Sequence, residues 1–271
     1  MNSLELKMVT VLTDLKENHG VTGIKAEFEA EGTRMEEALR LKDVISKAGL
    51  GLTLKIGGCE AIKDMYDART IGVERIVAPM VETTYSLLKF LKAVDLVFPL
   101  EEQKEVDFLV NIETKTAYAN FDEMLKIKEA SKLDGVVIGR VDMTGSLDMT
   151  REDINSDKIL EICKDLVKKG KQSKLATVIG GGVSAASLPV FAKLPSGSLD
   201  RYETRKVIFD YNTAIKKDPE KGILKAVGFE LLWLKNKRDF YSLIAKEDDQ
   251  RLVMLEKRYK KMIEDAGGKY E

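Results

Sequence analysis

Short runs rich in β-branched and alternating apolar residues take turns with longer stretches whose apolar residues recur every three or four positions. Seven runs read as strands: "TGIKAEFE" (22–29), "GLTLKIG" (51–57), "RIVAPM" (75–80), "DFLVNIE" (107–113), "GVVIGRV" (135–141), "KLATVIG" (174–180) and "RKVIFDY" (205–211). Amphipathic stretches such as "TRMEEALRLKDVISKAG" and "SDKILEICKDLVKKG" fill the gaps. Gly49, Gly72 and Gly170 stand where a left-handed C-cap would end a helix. Repeated strand–helix units imply a parallel sheet with right-handed crossovers. About seven of them in unbroken succession favour a closed (β/α)8 TIM barrel over an open doubly wound sheet. The stretch before the first strand reads as a helix, so the barrel is expected to have lost or disguised its first strand. Residues 1–212 then form the barrel with its N-terminal helix. Residues 213–271 form a helical extension on the barrel or on a neighbouring subunit, as an oligomer contact, a lid or a packed tail.

The polar residues inside the strands carry the chemistry. Lys25, Glu27 and Glu29 alternate with Ile24, Ala26 and Phe28, so one set faces the helices and the charged set faces the barrel interior. The same alternation aims Lys55, Asn111, Glu113, Arg140 and Asp142 inward. A strand set off by one residue would turn its charges outward. Burying an unpaired charge costs several kcal/mol, so these groups must pair with one another, meet water or hold a ligand. Glu113 and Asp142 leave the ends of two neighbouring strands, at the barrel face that carries active sites. In a site without His or Cys they offer hard oxygen ligands, which suit Mg2+ or Mn2+.

Charge and composition narrow the alternatives. Forty-four Lys and Arg against forty-five Asp and Glu give no global basic field for nucleic acid. No stretch is long and apolar enough to span a membrane, and the N-terminus lacks a signal-peptide core, so the expected location is the cytoplasm. Cys59 and Cys163 lie too far apart for a CxxC site. The one histidine, His19, reads as a solvated residue at a helix end, which removes a Ser-His-Asp triad. Two later stretches leave their meaning open. "VIGGGVSAASL", with Gly180, Gly181, Gly182 and Ser184, is either an anion site or a plain turn with an N-cap. Arg201 and Arg205 either grip a polar substrate or are solvated.

"VNIETKTAYANFDEML", "LDGVVIGRVDMTGSL" and "GVERIVAPMVET" together resemble the HpcH/HpaI aldolase and citrate-lyase β-subunit family, over about residues 20–190. The resemblance implies a barrel of the phosphoenolpyruvate/pyruvate type and a divalent metal, Mg2+ or Mn2+, held by Glu113 and Asp142. It further implies carbon–carbon chemistry through the enolate of a 2-oxo acid, with an aldehyde as second substrate. Backbone amides near Val141 would hold the substrate carboxylate. Three departures mark the chain as divergent: Lys55 stands where the family carries an Arg, Phe28 where its pyruvate aldolases carry a His, and Arg140 where the family carries a Pro after the strand glycine. On this reading Lys55 and Glu27 are catalytic, while Lys25, Arg140, Val141 and Asn111 bind substrate, in a homo-oligomer. Three other readings remain: a Schiff-base aldolase using Lys25 or Lys55, a citrate-lyase-like acyl-CoA lyase, and a non-catalytic barrel.

Overall fold

A computed structural model describes residues 1–269. Eight strands close into one barrel in sequence order. They are β1 (Val21–Glu27), β2 (Gly51–Lys55), β3 (Arg75–Ala78), β4 (Asp107–Ile112), β5 (Gly135–Gly139), β6 (Ala176–Gly180), β7 (Arg201–Glu203) and β8 (Val207–Asp210). The helices are α1 (Ser3–His19), α2 (Met35–Lys47), α3 (Ile62–Ile71), α4 (Thr84–Val97), α5 (Lys115–Lys126), α6 (Arg140–Ser146), α7 (Asp157–Gln172), α8 (Leu188–Phe191), α9 (Tyr211–Ala214) and α10 (Pro219–Asp265). None is long and apolar enough to cross a membrane among the described residues.

The (β/α)8-type barrel expected from the strand–helix alternation is present, plus a long C-terminal helix. Its irregularity lies at the end of the chain, not at the start. β1 is a regular seven-residue strand paired in parallel with β2. β8 instead runs antiparallel to both β7 and β1. The expected single strand over 205–211 is thus the second arm of a tight hairpin. Its first arm, β7, has only three residues and is too short to show alternation. Because β8 runs backwards, it ends at the floor of the barrel. From there α10 climbs the outer wall beside α1 and continues past the top. Positions 270 and 271 of the expected extension lie outside the described residues.

Two apolar layers hold the barrel. The larger lies between strands and helices and includes Ile24, Leu54, Ile76, Val110, Ile138 and Ile179. The smaller fills the barrel axis with Val77, Leu109, Val137 and Val178. Gly49 and Gly72 do adopt the left-handed caps, at φ 67° and 72°. Gly170 does not. It lies inside α7, where an added Cβ would come within 2.9 Å of Thr177, so the glycine serves close helix–sheet packing. His19 closes α1 as expected but is buried, not solvated, its Nδ1 3.0 Å from the Lys217 carbonyl.

Glu5, 1% exposed, ties three helices together at the top. It accepts from Arg40 Nε of α2 at 3.0 Å and from Asn236 of α10 at 3.5 Å, and it caps its own helix through the Asn2 N–H at 2.8 Å. Burial opposes its ionisation, but Arg40 and the Asn2 amide outweigh burial and hold the carboxyl below the ordinary glutamate value. A lowered carboxyl value in the folded state gives stability that is complete above the unfolded value and lost as pH falls through the folded one. Glu5→Gln should therefore cost about 1–3 kcal/mol at neutral pH in urea titrations. The gap to the native chain should narrow as pH falls from about 4.5.

Candidate active site

The inward residues of the strands change character along the barrel axis. Above the valine and leucine layer the interior becomes ionic, and it opens at the strand C-termini into a cavity of about 510 Å³. β1 brings in Lys25 and Glu27, β2 brings Lys55, and β4 brings Asn111 and, just past its end, Glu113. Alternation in β1, β2 and β4 is as the sequence predicts.

Two ion-pair groups form. Lys25 Nζ lies 2.6 Å from Glu203 Oε1 and 3.0 Å from Glu27 Oε1. Burial would depress this ammonium, but the two carboxylates more than compensate and raise it above the ordinary lysine value. Glu27 answers in kind: burial would raise its carboxyl, and Lys25, then Lys55, hold it low. Lys55 Nζ lies 2.7 Å from Glu29 Oε2 and 3.6 Å from Glu113 Oε2. It too is raised, with burial overcome chiefly by Glu113 and Glu29.

Glu113 is the group least at ease. Its Oε1 accepts from the Met80 N–H at 3.0 Å, and its Oε2 from Asn111 Nδ2 at 2.7 Å. Met80 holds a left-handed φ of 51°, a conformation that costs a non-glycine residue energy and here aims its amide at the carboxylate. Despite these donors and Lys55, burial keeps the Glu113 carboxyl above its ordinary value, and the charge of Asp142 adds to the rise. Gly139 is required opposite it, since an added Cβ would lie 2.7 Å from Glu113 Cβ.

Asp142 and Arg140 correct the reading of the fifth strand. β5 stops at Gly139 and α6 begins at once, so neither residue continues the strand's alternation. Asp142, in the first turn of α6, is exposed at the rim of the same cavity as Glu113, and Val141 lines it beside them. Arg140 turns away and does not line the cavity. Its guanidinium donates to the Gly180 carbonyl at 3.2 Å, the Gly181 carbonyl at 3.0 Å, Asn155 Oδ1 at 2.7 Å and Ser187 Oγ at 3.1 Å. It also lies 5.1 Å from the centre of the Phe191 ring. Burial lowers it to about 10. With its donors engaged by protein groups, Arg140 braces the glycine loop outside the cavity in which the sequence predicts it to bind substrate. That loop follows β6 into a 3-10 turn, without a long helix. Gly181, at φ 79°, lies so close to the start of α6 that a Cβ would come within 2.7 Å of two backbone nitrogens.

Several cavity residues escaped the sequence reading. Glu203 sits on the three-residue β7, Arg151 lies in a 3-10 turn, and Val227 and Glu230 come from α10. Arg205 does reach the cavity, paired with Glu31 at 3.2 Å, whereas Arg201 lies at the strand's other end and its ionisation is lowered by burial, with Arg75 adding.

The cavity's own charges bear on a cation. Six lining carboxylates, Glu27, Glu29, Glu113, Asp142, Glu203 and Glu230, face four cations, Lys25, Lys55, Arg151 and Arg205. The excess is two negative charges, and Asn111 Oδ1 is buried without a partner. Among the described residues no three His, Cys, Asp or Glu side chains cluster as a metal cage. Two carboxylates in a water-accessible cavity fit a cation such as Mg2+, which retains waters and binds through one or two carboxylates.

The fold recurs in solved structures. An HpcH/HpaI aldolase/citrate lyase family protein from Burkholderia cenocepacia J2315 superposes with a TM-score of 0.54 at 12% identity, covering 68% of this chain and 88% of that one. The citrate synthase SbnG superposes with a TM-score of 0.55 at 13% identity, covering 84% and 98%. No curated protein matches the sequence. The family model described as HpcH/HpaI aldolase/citrate lyase matches residues 33–182, more than half of the length, from α2 through the glycine loop. This barrel, with Glu113 and Asp142 both inside the matched span, belongs to the HpcH/HpaI aldolase/citrate lyase family.

Proposed function

We propose that the chain is a divalent-metal-dependent aldolase or lyase, which makes or cleaves a C–C bond through the enolate of a pyruvate-like 2-oxo acid with an aldehyde. The observation that carries this reading is the shared cavity of Glu113 and Asp142, with two negative charges in excess and Lys55 alongside. Glu113 and Asp142 would hold Mg2+ or Mn2+, which supplies positive charge for oxygens that become negative during reaction.

In the cleavage direction a hydroxy-oxo acid loses its hydroxyl proton. The bond between the carbinol carbon and its neighbour then breaks, releasing an aldehyde, and the electron pair moves onto the 2-oxo oxygen. Lys55, kept as an ammonium by Glu113 and Glu29, places fixed positive charge beside that oxygen. Glu27, kept ionised by Lys25, accepts the hydroxyl proton directly or through a water. Lys25 positions Glu27 and Glu203 and has its own charge engaged by both. Asn111 orients Glu113, and its free Oδ1 can accept from substrate or a bound water. The same charges disfavour a Schiff-base route, because the attacking lysine must be a neutral amine and Lys25 and Lys55 are both held protonated.

Deuterium exchange into the methyl group of pyruvate, followed by NMR with Mg2+ or Mn2+, tests the enolate step without knowledge of the aldehyde. Exchange should occur, stop with chelator and fall about 100-fold or more in Asp142→Asn, whose exposed position leaves the fold intact. Calorimetric Mn2+ binding should weaken in the same variant. A barrel with neither exchange nor metal binding would be a binding protein instead. Lys55→Met should lower the exchange rate about 10²–10³-fold, with Lys55→Arg recovering part of it. Covalent trapping of pyruvate by borohydride on Lys25 or Lys55 would replace the metal route with the Schiff-base one.

A further inference from the structure

Forty-seven residues of unbroken helix make α10 about 70 Å long. Its first half lies on the barrel through Ile223, Ala226, Phe229 and Trp233. Its last hold on the barrel is Tyr241, whose hydroxyl lies 2.7 Å from Glu37 of α2; beyond it, among the described residues, only Ile263 is partly shielded from solvent. A helix on its own gains little in water, so an exposed half this long needs an apolar face to bury.

Such a face exists as two apolar blocks, one in each half, joined in one heptad phase by a polar centre. Leu224, 70% exposed, is followed at spacings of three and four by Val227, Leu231 and Leu234, each just over half exposed. The spacing continues through Arg238, Tyr241, Ala245 and Asp248 to Leu252, Leu255, Tyr259 and Met262, which are again more than half exposed. This is a heptad seam, and its period implies a left-handed supercoil.

We propose that a second copy of this chain covers the seam, the two α10 helices pairing antiparallel about a two-fold axis at Leu243. The sequence is self-complementary about that point. Leu224 falls opposite the partner's Met262, Val227 opposite the partner's Tyr259, and Leu231 and Leu234 opposite the partner's Leu255 and the partner's Leu252. The two charged seam positions meet each other, Arg238, which in its own chain pairs with the exposed Asp239 at 2.8 Å, with the partner's Asp248; Tyr241, its hydroxyl held by Glu37, stands beside the partner's Ala245. Flanking charges also match, with Glu230 facing the partner's Arg258 and Lys235 facing the partner's Asp249. Lys237 faces the partner's Arg251, but each already has a carboxylate in its own chain, Glu37 at 2.9 Å and Glu247 at 2.5 Å. A parallel pair would stack Arg238 on itself and Asp248 on itself, which selects against it.

Seam and flanking positions number about 24 per copy, within the 20–30 residues a side of a stable interface. Val227 and Glu230 also line the catalytic cavity, so the pairing brings the partner's distal helix to its rim.

Sedimentation equilibrium on the full chain at micromolar concentration tests the pairing. The native chain should weigh twice its 30.3 kDa. Leu252→Glu with Leu255→Glu should give a monomer whose barrel unfolds as in the native chain, since both residues are exposed on the distal half of α10, while that unpaired half loses helix content. Arg238→Asp and Asp248→Arg should each weaken association about tenfold. Combined, they should restore it, because residues ten apart on one helix cannot pair with each other. A monomeric native chain, an assembly indifferent to the leucine changes, or charge reversals that fail to compensate would each overturn the proposal.

Discussion

Charge inside a closed barrel must be neutralised where it sits, because the strands leave it little water. Each ion removed from water costs several kcal/mol unless partners return it. Three strand ends and the hairpin bring lysines and glutamates to the top of this interior, and the rest of the site follows from how they share partners. Below them Val77, Leu109, Val137 and Val178 seal the axis, so the ionic layer can communicate with solvent only upward.

Partner sharing divides the two lysines. Lys25 sits between Glu27 and Glu203, fully occupied, and behaves as a strut. Lys55 reaches Glu29 closely and Glu113 only at 3.6 Å, so its charge leans toward the mouth. Glu113 receives more burial than compensation, and Asp142 adds repulsion. A charge left under-compensated in this way is a poor investment for stability alone and a sensible one for a ligand cation. Arg140 shows the opposite solution. Backbone carbonyls, an amide and a hydroxyl take up its donors, and it becomes a brace for the loop it touches.

The barrel was legible because strands buried on both sides still alternate between two different environments. The helix-facing positions are uniformly apolar, and Lys25, Glu27, Lys55, Asn111 and Glu113 stand out against them. Reading failed where local geometry breaks the two-residue period. At Gly139 the chain turns into α6 within one residue, so counting onward by twos placed Arg140 in the cavity when it packs behind the glycine loop. Glu203 was hidden by a strand of three residues, and Val227 and Glu230 by the roughly 200 residues that separate them from Lys25 and Glu27, which no local pattern can bridge. The reversal of β8 had no signature either, since an antiparallel strand between two neighbours carries the same apolar residues as a parallel one.

That reversal changes the electrostatics of the mouth. An eighth strand running with the others would have delivered a helix whose N-terminus presents about half a positive charge. The hairpin's turn of Thr204, Arg205 and Lys206 presents two whole ones, and Glu31, in the loop after β1, takes up both. First and last strands are therefore clasped at the rim by a three-ion latch between two loops. Because Arg205 is half exposed and Lys206 is buried, salt should loosen the outer arm of this clasp while the inner one holds the first and last strands together.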